Sequence, residues 1–208
     1  MVLKDGTVFE GIGFGACGRT WGEVVFNTGL VGYVESITDP SYHGQILVQT
    51  YPLIGNYGVN PDFFESARPW IQGYVVSDYA DKPSHHTSRF SIDHWLEANR
   101  IPAIAGLDTR ALVKRLRQYG VIPGLLVVSG QPLKLSPLVR EARRLSDPNV
   151  QNLAAEVSSP DIHIYQPGRR KRIVLIDCGT KLGIISQLTR RGLSVIRVPH
   201  NTSPETIL

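Results

Sequence analysis

Cysteine is scarce in this chain: among 208 residues only Cys17 and Cys178 carry thiols. Two thiols so far apart give no disulfide framework, which fits a reducing compartment and a fold held by its core. Long apolar runs are missing as well. No stretch approaches the roughly 20 consecutive apolar residues that cross a bilayer. The opening Met1-Val2-Leu3-Lys4-Asp5-Gly6 has no apolar segment with a cleavage site behind it. Both absences predict a cytosolic protein with no membrane partner. The six histidines, His43, His85, His86, His94, His163 and His200, show neither an HExxH pair nor a Cys-His spacing, so no metal is expected.

What is present is an ordinary globular composition, 42% hydrophobic and 19% charged, long enough for one large domain or two small ones. Charge divides along the chain. Residues 1–99 hold 5 basic and 11 acidic side chains, and residues 100–208 hold 17 and 7. Such asymmetry marks a nucleic-acid surface or two units of opposite field.

The first half reads as strands separated by glycine turns. Thr7 to Phe14 alternates Val8, Glu10, Ile12 and Phe14 against Phe9, Gly11 and Gly13, and Glu23 to Asn27, Gln45 to Tyr51 and Ile71 to Ser77 are further strand candidates. Asp81 to Ser88, with His85-His86, is polar and breaker-rich and is expected to be an exposed loop before a short helix near Ser91 to Asn99. From Asp108 the period becomes helical: Leu112, Val113, Leu116 and Tyr119 form a stripe stopped by Gly120, and Ser136 to Leu145 is a second helix. Residues 158–168 lack periodicity and read as a linker, followed by the basic run Arg169-Arg170-Lys171-Arg172. Beyond it, Ile173 to Ile176 suits a strand buried on both faces, Leu182, Ile184, Ile185 and Leu188 suit a helix ended by Gly192, and Leu193 to Val198 suits a second strand. One β-α-β unit cannot cover both faces of a parallel sheet, so the sequence is expected to stop inside a domain.

Several chemical signals have plain alternatives. Gly13-Phe14-Gly15-Ala16-Cys17-Gly18 matches G-x-G-x-x-G, but a dinucleotide site requires a helix to begin there, and Thr20 to Thr28 reads as a strand. Glycines of a bulge or hairpin are the favoured account. Cys178 stands at a strand end, where α/β folds place functional groups, yet no small-residue elbow surrounds it, so a packed structural thiol is expected. The basic segments allow nucleic-acid binding as a rival function, but no aromatic residues interleave with them to stack bases.

The densest constellation runs from Asn27-Thr28-Gly29 through Gly32-Tyr33 and Thr38-Asp39-Pro40-Ser41-Tyr42 to Thr50-Tyr51-Pro52-Leu53-Ile54-Gly55-Asn56 and Asn60. By physics alone it is a binding loop or a set of tight turns. With Leu3 to Gly11, Gly22 to Gly29, Glu65-Ser66 and Ile104 to Leu112, this long ordered series resembles the small, glutamine-hydrolysing subunit of carbamoyl-phosphate synthase nearly end to end. The sequence departs from that family's pattern at Leu30-Val31, Val34 and Leu182-Gly183.

The resemblance implies a mixed α/β fold: a β-rich amino-terminal domain with helices over residues 1–150, a linker over 151–170, and from 171 to 208 the first β-α-β unit of a parallel-sheet class I glutamine amidotransferase domain. It implies a large synthetase subunit as partner, L-glutamine as substrate, and no nucleic acid or membrane. ATP and magnesium belong to the large subunit, leaving no cofactor in this chain. The family's Cys-His-Glu triad is expected past Leu208, so no catalytic residue is assigned here. Ser41 matches the serine that reaches the bound glutamine. Cys178 falls in the family's D-x-G strand end.

Overall fold

A computed structural model describes residues 1–147 and 150–208. In chain order the first elements are β1 (Val2–Leu3), β2 (Ile12–Gly15), β3 (Gly18–Asn27), α1 (Tyr33–Thr38), β4 (Gln45–Gln49), β5 (Leu53–Ile54), β6 (Gly73–Val75), β7 (Asp78–Tyr79), α2 (Ile92–Ala98) and β8 (Pro102–Ala105). There follow α3 (Thr109–Tyr119), β9 (Ile122–Val128), α4 (Leu135–Ala142), α5 (Leu153–Val157), β10 (His163–Tyr165), β11 (Arg172–Asp177), α6 (Leu182–Arg190), β12 (Ser194–Pro199) and α7 (Pro204–Ile207). The mixed α/β class matches the sequence reading.

The larger sheet has the order β1-β9-β3-β4-β6-β8-β2. Its middle strands β3, β4, β6 and β8 run parallel, and β1, β9 and β2 are attached antiparallel. Strand β4 shows why it sits in the middle. Leu47 belongs to an apolar cluster with Tyr33, Ile37, Ile92 and Leu96, while Ile46 and Val48 belong to a second with Leu3, Leu112 and Leu116. Helices α1 and α2 thus cover one face and α3 the other. A strand buried on both faces needs the continuous apolar run that Ile46-Leu47-Val48 supplies.

Helix α3 follows its sequence signals. Asp108 accepts a hydrogen bond from the Ala111 amide at 2.8 Å, and Leu112 and Leu116 are buried. Tyr119, expected on the apolar stripe, is exposed; it lies beside the Arg115 guanidinium, 5.2 Å from ring centre to charge.

The glycine-rich turn differs from expectation. Strands β2 and β3 are joined through Ala16 and Cys17 but do not pair: β2 pairs with β8, and β3 with β9 and β4. No hairpin forms. The sheet curls so that its β2 edge returns beside β9, and a Cβ on Gly13 would stand 2.5 Å from Val128 Cγ1. A strand follows the turn, so the helix a dinucleotide would need is absent there. Curling also overturns the expected alternation of Thr7 to Phe14: Phe14 is buried while Ile12 is 73% exposed at the free edge. Val8 makes only an isolated bridge to Val2. Within the motif-dense segment, Tyr33 to Thr38 is a helix rather than a turn, because Tyr33, Val34 and Ile37 fall on one buried face.

The smaller sheet has the order β10-β12-β11, with β11 and β12 parallel and α6 as their crossover. The segment 151–170 contains helix α5 and strand β10, neither signalled by local periodicity. The His163–Tyr165 strand is defined by its antiparallel partner Val195–Arg197, a non-local contact. Strand β11 is not buried on both faces: Ile176 is 51% exposed, because α6 covers one face only and packs mainly through Ile185.

Candidate functional site

The motif-dense segment is organised from within. Asn27, at the end of β3, donates through Nδ2 to Ser36 Oγ at 2.9 Å and to the Tyr42 hydroxyl at 3.2 Å, and accepts from the Gly29 amide at 2.7 Å. One amide side chain therefore ties strand, loop and helix together. Asp39 caps the 3₁₀ turn Pro40–Tyr42 by accepting from the Ser41 amide at 2.9 Å. This leaves Ser41 exposed, with a hydroxyl that makes no hydrogen bond among the described residues. A free hydroxyl on a turn whose backbone is pinned is suited to meeting a ligand.

Against this turn stands the carboxyl end of β11, where parallel α/β sheets present their functional groups. Asp177 is fully buried and organises it. Its carboxylate accepts from the amides of Ser159 at 2.6 Å, Gly179 at 3.1 Å and Thr180 at 2.8 Å, and from Arg197 at 2.7–2.8 Å. Burial alone would raise its pKa, but these donors and the guanidinium charge hold it below the ordinary carboxylate value. The loop so fixed places Gly179, at φ +96°, against the amino-terminal unit: a Cβ there would lie 3.0 Å from Val157 Cγ2 and 3.1 Å from Pro40 Cβ. Only glycine allows both that φ and that approach.

Two further contacts join the units. Lys181 Nζ lies 3.4 Å from Asp39 Oδ2. Helix α6 has no side-chain cap of its own; Glu65 supplies one from 118 residues away, its carboxylate accepting from the Gly183 amide at 2.7 Å and its carbonyl from Leu182 at 2.8 Å. A carboxylate at a helix amino end satisfies an otherwise orphaned N–H and meets the positive end of the dipole. Glu65 is itself held by its own amide, which donates to Thr38 Oγ1 at 2.9 Å. We expect Glu65→Ala to cost about 1 kcal/mol and to speed hydrogen exchange of the first amides of α6. Unchanged exchange there would show that the cap carries no load.

Of the residues singled out from sequence, Ser41 follows Pro40, whose Cβ faces Gly179 at the end of β11. Cys178 is exposed, not packed, because Asp177 points inward and alternation turns the next side chain out. Cys17 is exposed as well. Among the described residues neither thiol hydrogen-bonds a histidine, and no cluster of His, Cys, Asp and Glu suits a metal. His85 and His86 lie in an exposed loop, as expected, with ring centres 4.4 Å apart and planes tilted by 34°. No helix of the described residues is long and apolar enough to cross a membrane. Sequence reasoning missed Asp177 as an organiser and Glu65 as a cap. The only signals were the Asp before Cys178-Gly179 and the Glu65-Ser66 pair.

A curled mixed sheet is thus docked through Asp39-Pro40 and Glu65 onto a β-α-β unit. Residues 1–126 match the family model described as carbamoyl-phosphate synthase small chain, CPSase domain. The chain belongs to the carbamoyl-phosphate synthase small chain family. It is 46% identical over 208 residues to the carbamoyl phosphate synthase small chain of Fusobacterium nucleatum, covering 100% of this chain and 57% of that one. It is 44% identical over 209 residues to the small chain of Oceanobacillus iheyensis and 41% identical over 208 to the pyrimidine-specific small chain of Bacillus subtilis, covering all of this chain and 56% of each. The chain thus spans a little over half the length of these curated relatives.

Proposed function

We propose that this chain is the amino-terminal part of the small subunit of a glutamine-dependent carbamoyl-phosphate synthase. In that reading the whole subunit hydrolyses L-glutamine to glutamate and ammonia in the cytoplasm, and passes the ammonia to a large subunit that uses ATP and magnesium to make carbamoyl phosphate for arginine and pyrimidine synthesis. Residues 1–150 form the domain that contributes to contact with the large subunit, and residues from 171 begin the amidotransferase domain. The observation that carries the reading is the similarity to small chains along the whole of the 208 residues.

The chemistry is acyl transfer, in which a thiolate attacks the side-chain amide, a histidine moves protons and backbone amides hold the oxyanion. The groups that perform it belong to the length of the relatives that this chain does not span. What this chain supplies is one wall of the glutamine site. Ser41 donates or accepts a hydrogen bond at the amino-acid end of the substrate, held in place by the Asp39 cap and by Gly179 against Pro40. The fixed turn orients the substrate without a proton-transfer role.

In the full-length subunit with its large partner, Ser41→Ala is expected to raise KM for glutamine about threefold to tenfold, as loss of one hydrogen bond of 0.5–1.5 kcal/mol does, with kcat within about twofold. Ammonia-dependent synthesis should be unaffected. An unchanged KM would remove Ser41 from the site. A second reading, in which this part serves only as a docking module for the large subunit, draws on Leu30 and Val31, which are 71% and 76% exposed in the loop between β3 and α1. It predicts large-subunit binding by the 208 residues without glutamate release.

A further inference from the structure

A cavity of about 500 Å³ opens where the chain enters the four parallel strands, lined by residues just before or at the start of β3, β4, β6 and β8. Its wall is polar and carries three guanidinium groups, Arg19, Arg68 and Arg100, together with the His43 ring, and no carboxylate lines it. Acidic groups meet two of these residues. Glu141 pairs with Arg19 at 3.2 Å, and Glu156 meets His43 Nε2 at 2.7 Å. Arg68 and Arg100 carry no ion pair among the described residues.

Two details leave the guanidinium groups of Arg68 and Arg100 available to a ligand. Arg100 follows the carboxyl end of α2 at φ +59°, where its amide closes onto Glu97 O at 2.9 Å and that of Ile101 onto Leu96 O at 2.9 Å. Glycine is the usual residue at such a position, since a Cβ in the left-handed region is strained. Arginine sits there against that preference, and its side chain makes no hydrogen bond among the described residues. Arg68 lies flat on Trp70, 3.6 Å from the ring centre, and Trp70 is fixed by its indole donating to Ser66 Oγ at 2.8 Å. The stacked guanidinium keeps its N–H edge free. His43, against the edge of Trp70, has a buried Nδ1 with no partner.

We propose that this cavity binds a small phosphate-bearing anion, with Arg68 and Arg100 as the principal ligands and Arg19 at the rim. Two unpaired planar forks on one polar cavity, with a third arginine at its rim, suit a dianionic phosphate. The cavity volume lies within the range of small-ligand sites. The proposal does not depend on glutamine hydrolysis.

Titration of the protein at low ionic strength with inorganic phosphate, inorganic pyrophosphate and glycerol 3-phosphate, followed by calorimetry and tryptophan fluorescence, tests it. At least one should bind, more weakly in high salt. Tighter pyrophosphate would mark a free ion as the ligand, and tighter glycerol 3-phosphate a phosphate ester. Arg68→Ala and Arg100→Gly should each weaken binding at least tenfold, and Arg100→Gly should do so with a Tm no lower than the parent's, because it relieves the left-handed strain. Absence of binding by all three up to about 10 mM, where affinity is weaker than that of specific sites, would overturn the proposal. So would equal binding by parent and Arg100→Gly protein, which decides the matter even if Arg68→Ala fails to fold.

Discussion

Replacing Asp177 with alanine is expected to cost about 3–5 kcal/mol, the usual consequence of removing one partner of a buried ion pair. Four donors converge on this carboxylate, and its loss leaves Arg197, itself mostly covered, without its counter-charge. Against a typical total stability of roughly 5–15 kcal/mol, Tm should fall by on the order of 10 °C. Asp177→Asn keeps the shape but loses the charge, and adds an NH₂ group that faces donors. Its cost has a defined pH dependence. The folded-state pKa of Asp177 lies below the unfolded value, so its contribution is fully present above that unfolded value of about 3.9 and disappears as pH falls through the lower folded one. The stability gap between parent and Asp177→Asn protein should therefore be constant from neutral pH down to about 4 and narrow below it. Chemical denaturation at a series of pH values reads this directly, and a gap that widens on acidification would contradict it.

The second large effect is expected at Gly179. Alanine there must take φ +96° and place a methyl group 3.0–3.1 Å from Val157 and Pro40. The left-handed backbone costs about 1–2 kcal/mol and the overpacking about 1–3 kcal/mol, so a loss of about 2–5 kcal/mol is expected. Gly168→Ala is the matched control. Gly168 has φ +85° with nothing within 4 Å of a built Cβ, so only the backbone cost applies. The difference between the two substitutions isolates the combined contact with Val157 and Pro40. In the full-length subunit Gly179→Ala should also raise KM for glutamine, since relief of the contact displaces Pro40. Equal losses at the two glycines would show that the units do not press on each other at this point.

These expectations depend on features with unequal sequence signals. Helix α3 with its Asp108 cap, helix α6 and the β-α-β order are written in local periodicity, while the strand read over Gln45 to Tyr51 ends at Gln49 and the one read over Glu23 to Asn27 begins earlier, at Gly18. The route of β2 is different. Its partner β8 lies some ninety residues away, and curling of the sheet, not local pattern, leaves Ile12 exposed and Phe14 buried. Strand β10 is similarly invisible locally, because three residues gain their strand geometry from β12.

The site divides in the same way. Ser41 and the Asp39-Pro40 turn stand in a dense motif, whereas Glu65 meets Gly183 only after the units dock. The arginines of the anion cavity come from three separate segments, so no run of charge announces them. The conspicuous run Arg169 to Arg172 is exposed and lies outside that cavity.

Glutamate release measured side by side for the 208-residue chain and for the full-length subunit, each with the large subunit present, tests the central claim most directly. The account predicts release by the full-length subunit and none by the 208 residues. Glutamate release by the 208-residue chain alone would contradict it.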